Sequence, residues 1–330
     1  MWQLILFFIV CFFLIIQQNY TVKFKLSSGV IFLFSVFLII IAILRPSTLR
    51  DYNNYRDFFN YSRDERFEIT AHLFRFVSPS FIIFLFLYAF IAITIKLYAI
   101  KENSSFHLLS IITYISTSYV LHDFIQIRVS CAIAIFLYSI KFLNNKKYIK
   151  YCLCIFIAFL FHKSALVFLI VPIFNTKKFR SAFWIFLILI SYILYFLNFS
   201  ILNFLTLFIP RSSYIIVTIK NHMDVSANVF NINQLIRIVV FIYFLFNLKQ
   251  YDSKKYILLK VYAISIISLP FFGNISVLAY RLSEMLGTVI ILLLPDIITV
   301  SKNKKVGYLL FLLFVGMLFF LNNIYNNFGF

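Results

Sequence analysis

The feature that most constrains this chain is its succession of long, uninterrupted apolar runs, broken only by short polar loops. About 20 apolar residues span a bilayer core, and fewer suffice where a span is short. Runs of this kind lie near 2–17, 29–44, 80–96, 108–121, 125–142, 149–161, 164–175, 181–197, 233–248, 256–272, 281–299 and 306–321. They are continuous rather than alternating, which argues against a β-barrel. Composition agrees, with 63% of residues hydrophobic and 12% charged. A soluble domain is about 45–50% apolar and about 25% charged, so water cannot solvate this chain and lipid can. The expected fold is all-α: a polytopic helical integral membrane protein of about twelve transmembrane helices, with 1–330 as a single polytopic membrane domain. Met1 to Ile16 lacks a basic n-region and a cleavage signal, so it reads as a retained span.

One stretch admits two readings. Residues 151–174 form either one span or two short ones. A single span would place Phe161-His162-Lys163-Ser164 near the bilayer centre, which is costly for a lysine. Lys141, Lys146, Lys147 and Lys150 precede the stretch, and Lys177, Lys178 and Arg180 follow it. Both clusters favour the cytoplasm, and only two crossings meeting at His162 satisfy both. This choice puts both termini outside. It also puts 17 of the 19 lysines in cytoplasmic loops and flanks, Lys96 and Lys260 among them, leaving Lys163 and Lys220 outside.

The arginines run the other way. Only Arg180 is inside, while Arg45, Arg50, Arg56, Arg63, Arg66, Arg75, Arg128, Arg211, Arg237 and Arg281 lie on or near the outer side. Arginine binds phosphate in a fixed bidentate fork, which lysine cannot do. In the first long extracytoplasmic loop, 45–79, five acids offer a simpler account by neutralising the arginines. The second such loop, 198–232, opens with an apolar stretch too short to span. The net charge of +19 would suggest nucleic acid in a soluble protein. Here it sits in short loops and sets orientation, so no nucleic-acid partner is expected. The four cysteines, Cys11, Cys131, Cys152 and Cys154, lie in apolar runs and read as small apolar residues. No metal motif, Walker loop or dinucleotide fingerprint is present, so no metal and no cofactor is expected.

Four constellations can carry chemistry. Asp51, Tyr52 and Tyr55, followed by Glu65 and Glu68, suit sugar hydroxyls. Asp51 and Tyr55 would share a helix face, and a carboxylate can serve as general base. A salt-bridged solvated loop is the plainer reading. His122-Asp123-Phe124-Ile125-Gln126-Ile127-Arg128 is a short turn entering a span. Arg128 there faces a polar cavity, or else snorkels with Asp123 as counter-ion. His162 sits at the apex of the short pair as base, acid or phosphate donor, or in a polar turn with Ser164 as N-cap. Arg281 begins a late span, where it binds an anion together with Arg211 or simply pairs with Glu284.

At these residues the chain resembles the EpsG family, within the Wzy-type O-antigen and capsule polymerases. The resemblance lies in Asp51-Tyr52-x-x-Tyr55, Glu68 before the third span, Gln126-x-Arg128 followed by small residues, and Ala158-Phe159-Leu160-Phe161-His162-Lys163-Ser164-Ala165. Arg281 in a late outer loop also fits. The resemblance implies a bacterial plasma-membrane glycosyltransferase working at the outer leaflet, embedded among membrane lipids. It would transfer a growing glycan from undecaprenyl pyrophosphate to a new lipid-linked repeat unit, with a chain-length regulator as partner. His162, Asp51 or Glu68 would deprotonate the acceptor. Arg128 and Arg281, with Arg211, would hold pyrophosphate, and Tyr52, Tyr55, Asp123 and Gln126 would contact substrate. A repeat-unit flippase or transporter, and another membrane glycosyl- or acyltransferase, are the competing readings.

Overall fold

The computed structural model describes residues 5–6, 9–11, 27–61, 69–176, 178–199, 226–252 and 255–324. Every regular element among them is helical. In chain order these are α1 (Ser28–Ile43), α2 (Tyr52–Tyr61), α3 (Ile69–Val77), α4 (Phe81–Asn103) and α5 (His107–Tyr114). α5 continues as a π-helix, Ile115–Ile125. Then come α6 (Ile127–Asn144), α7 (Tyr148–Phe161) and a 3-10 helix, Lys163–Phe174. After these lie α8 (Ser181–Phe196), α9 (Ile232–Phe246), α10 (Tyr256–Phe271), α11 (Ser276–Gly287), the short α12 (Ile290–Leu293) and α13 (Ile297–Val300), and α14 (Lys304–Phe319). Among the described residues, five stretches are long and apolar enough to cross a membrane: Phe81–Asn103, His107–Ile125, Ile127–Asn144, Ser276–Val300 and Lys304–Ile324. Six shorter apolar helices accompany them. Large apolar side chains such as Leu33, Ile149, Phe156, Phe186 and Leu189 point outward. Lipid accepts such a surface and water does not. This is a multi-pass helical membrane protein.

The helices group into two compact units, Met1–Asn175 with Ile290–Phe330, and Thr176–Val289.

In the first unit, Ser27 and Ser80 cap α1 and α4 by accepting from Val30 N and Ile83 N. α4 runs seven residues past the expected end of its span, so Lys96 lies inside the helix bundle and not in a loop. The reading of Lys96 as a cytoplasmic flank is therefore corrected. α7 and the 3-10 helix fold back on each other at His162. Tyr151 Oη donates to Phe168 O at 2.6 Å, which one continuous helix would separate by about 25 Å. Asn175 Nδ2 donates to Leu143 O at 2.8 Å, returning the hairpin to the end where it began. The two arms match in length: 14 residues at about 1.5 Å each against 12 at about 2.0 Å. Ser164 is not the cap of the second arm. His162 is, with Nδ1 accepting from Ser164 N at 3.2 Å.

Hydroxyl side chains cluster where the π-helix begins. Thr113 and Thr117 donate their hydroxyls to Leu109 O and Thr113 O, four residues back, and compete with the α ladder there. The side-chain amides of Asn322 and Asn323, in the π-turn that ends α14, donate to Ser116 O at 3.4 and 3.3 Å.

The second unit is tied by polar contacts across its helices. Gln234 Nε2 donates to Ile266 O at 2.9 Å, Tyr195 Oη to Ala227 O at 3.0 Å, and Lys260 Nζ to Thr176 O at 2.7 Å.

Candidate functional site

The first unit has two chemically different ends. At one, Lys101 Nζ donates to Ser28 Oγ at 2.6 Å and Lys141 pairs with Glu102 at 3.5 Å. At the other lie Arg45, Arg128 and the His162 apex. The segment 45–79, expected as a loop, packs onto this second end through its two short helices. Phe58 and Phe59 meet Phe84 at 6.2 and 5.7 Å, and Tyr52 meets Phe81 edge-on at 5.4 Å. Thr70 Oγ1 donates to Leu160 O at 2.8 Å, and Phe74 packs against Phe161 at 6.0 Å. Arg75 Nε donates to Phe59 O at 2.7 Å and locks α2 to α3.

This packing brings three sequence motifs together. The Arg128 guanidinium lies 5.8 Å from the centre of the Tyr55 ring, and its side chain hydrogen-bonds Tyr55. Burial pushes the Tyr55 phenol above its ordinary value, and Arg128 opposes that rise. Tyr88 links this pair to the third motif. Its ring sits 6.5 Å from Phe161, and its hydroxyl is within electrostatic reach of Arg128 and Tyr55. Cys131 Sγ donates to Tyr88 O at 3.5 Å, so this cysteine does pack as a small buried residue. Nothing in the sequence singled out Tyr88, which lies in an apolar run like many others.

Asp51 does not sit on the helix face shared with Tyr55. It precedes α2 with a left-handed φ of 65°, and its side chain accepts from Asn54 Nδ2 at 3.3 Å. A non-glycine residue in that region carries a cost of about 1–3 kcal/mol, and such residues gather at functional sites. Tyr52 and Asp51 are half-buried. His162 is buried at the apex, and because its Nδ1 accepts from Ser164 N, the proton of the neutral ring lies on Nε2. Gln126 is the half-buried break between the π-helix and α6, and it leaves α6 without a side-chain cap.

Asp123 is placed differently from its expected substrate contact. It is fully buried, and Lys96 Nζ donates to its Oδ2 at 2.7 Å. Tyr114 Oη donates to the same oxygen at 2.7 Å, and Ser130 Oγ to Oδ1 at 2.6 Å. The counter-ion of Asp123 is thus Lys96, not Arg128. Lysine side chains on a helix lean toward its N-terminus, which carries Lys96 up to the turn. Asp123 fastens the 122–128 turn to α4, α5 and α6.

Arg45 belongs to the same turn. Its Nε donates to Ala42 O at 2.9 Å and its Nη1 to Phe124 O at 2.6 Å, with 6% of the residue exposed. Burial pulls the guanidinium down to about 10, against the opposing pull of Tyr55 and Asp123, so it stays a cation at neutral pH.

The second unit carries Arg281, exposed on α11 and six residues into that helix rather than at its start. Arg237 is held there by Ser283, donating through Nη1 to its carbonyl at 3.1 Å and to its hydroxyl. Gly287 leaves room for that guanidinium, since a Cβ would stand 3.2 Å from its carbon. Glu68 and Arg211 lie outside the described residues. Among the described residues, no three His, Cys, Asp or Glu side chains lie together as a metal site would need.

Fold and site together define a multi-pass helical membrane protein whose polar chemistry gathers on arginine, tyrosine and histidine at one end of its first unit. The pattern of the EpsG family matches residues 29–330, and the chain belongs to that family. EpsG-type proteins are Wzy-like polymerases, which gives this protein a polymerase-like role in polysaccharide synthesis at a membrane. No curated protein and no solved structure matches the chain.

Proposed function

We propose that the protein polymerises lipid-linked oligosaccharide repeat units at the outer leaflet of a bacterial plasma membrane. In this reading the chain crosses about twelve times, with both termini and the arginine end outside. The observation that carries it is the convergence of the Tyr55, Arg128 and His162 motifs around Tyr88. A sugar hydroxyl of the incoming repeat unit attacks the anomeric carbon of the growing chain. The bond from that carbon to the undecaprenyl pyrophosphate oxygen breaks, and the pyrophosphate leaves with the electron pair. The acceptor's proton passes to a carboxylate, Asp51 or Glu68.

The Nδ1 hydrogen bond of His162 suits it to donate from Nε2 to the departing phosphate oxygen rather than to act as base. Arg128 holds the pyrophosphate as charge builds on it. Tyr52, Tyr55 and Gln126 line the sugar side, and Asp123 acts by holding the turn. The leaving group supplies the driving force, so the step calls for no nucleotide. A chain-length regulator is the expected protein partner.

The test is gene deletion in the host, followed by gels of the surface polysaccharide. Deletion should leave single repeat units on the surface. Wild type should restore a ladder, and Arg128→Ala should not at matched membrane levels. Long chains that persist after deletion would end the polymerase reading. Repeat units trapped on the inner leaflet would replace it with a flippase.

A further inference from the structure

We propose that Arg45 is a ligand for the diphosphate of the lipid-linked substrate, forming with Arg128 a two-guanidinium anion site at the 122–128 turn. The identity of the anion rests on the polymerase reading. The site itself rests on the geometry around Arg45.

Two of the three nitrogens of Arg45 are spent on backbone carbonyls, Ala42 O and Phe124 O. The third, Nη2, is buried and has no acceptor among the described residues. A buried donor left without a partner is uncommon, and on a cation it is costly. The acid of the turn, Asp123, attracts Arg45 but does not accept from it. Asp123 already accepts from Lys96, Tyr114 and Ser130. A role limited to stapling Phe124 O would need one nitrogen and leaves Nη2 unexplained.

The second half of the site is Arg128. It stands in the first turn of α6, whose positive end has no side-chain cap. Arg45 binds Phe124 O four residues before Arg128, Tyr55 is within electrostatic reach of both, and the one carboxylate of the turn is hydrogen-bonded to Lys96. A neutral sugar would answer neither charge. A diphosphate presents several oxygens to two planar forks and answers both.

The test is binding by the purified full-length protein in phosphatidylcholine nanodiscs. The probes are inorganic pyrophosphate and, for the lipid-borne form, farnesyl diphosphate. Wild type should bind both. Arg45→Gln should weaken each at least tenfold. Arg45→Lys keeps the charge but loses the fork, and should weaken them about three- to tenfold. Unchanged affinity in both variants overturns the proposal. So does a wild type that binds neither probe, or one that is occupied only by added phosphatidylglycerol. If Arg45→Gln fails to fold, Arg45→Lys decides alone. Because the readout is binding, the two ideas fail separately. A polymerase without Arg45-dependent binding ends this inference only. Arg45-dependent binding in a protein whose deletion spares the polymer ends the polymerase reading only.

Discussion

Breaking the Lys96–Asp123 pair from one side should cost far more than removing it whole. Both side chains are 0% exposed and their charged atoms are 2.7 Å apart. At an effective dielectric of about 20, the attraction is about 6 kcal/mol. Each ion gives up several kcal/mol of hydration to be there, so the pair nearly cancels its own cost. Lys96→Met leaves Asp123 buried with only Tyr114 and Ser130, and Asp123→Leu leaves Lys96 with Ser130. Each single change should destabilise by about 3–5 kcal/mol. The double variant should fall within about 1–2 kcal/mol of wild type, since both charges leave together. Reversible unfolding in mixed detergent micelles measures all four corners of this cycle. Single variants that lose less than about 1 kcal/mol, or a double variant that loses the sum, would refute the reasoning. Hydrogen bonds between membrane helices average only about 0.6 kcal/mol, so a small value would mean that the pair behaves as one of those.

Three further outcomes follow from the geometry. His162→Asn offers Ser164 N an acceptor but lacks the Nε2 proton, so it should melt near wild type yet give no polysaccharide ladder. His162→Ala should lose the ladder and about 1 kcal/mol of stability as well. Gly287→Ala should cost about 1–3 kcal/mol by pressing a methyl on the Arg237 guanidinium, read as a drop in melting temperature. The raised Tyr55 phenol keeps its proton in the folded state while the unfolded state ionises near 10.0, so its stabilising share is present below that pH and fades above it. Melting curves of wild type and Tyr55→Phe should therefore converge as pH rises past 10.

Much of the helical plan was legible in the amino-acid order, because continuous apolar runs form helices that bury their backbone polar groups. The His162 hairpin is the clearest case: one lysine in mid-membrane and two basic flanks required it, and Tyr151 and Phe168 meet across it. Lys96 was misread for the same reason. A lysine followed closely by Lys101 and Glu102 resembles a loop, and only the partner 27 residues away shows otherwise. The π and 3-10 windings were invisible, since apolar periodicity does not distinguish them from an α-helix in so uniformly apolar a run. Arg128 stood out because it enters an apolar run. Arg45 did not, because it ends one among many polar neighbours, and its burial comes from the Phe124 turn folding over it.

The Lys96–Asp123 pair also sets a problem of order during synthesis. The helix Phe81–Asn103 emerges from the ribosome before Asp123 does. A lone lysine deep in a nascent span costs about 2.5–3.5 kcal/mol to release into lipid. The 27 residues that separate the two ions include one turn and nearly one whole helix. The insertion machinery therefore has reason to hold the first helix until the next arrives, and to hand both to the bilayer as a neutral couple. The cation that fastens the turn in the finished protein would then act earlier as a retention signal, delaying the departure of its own helix.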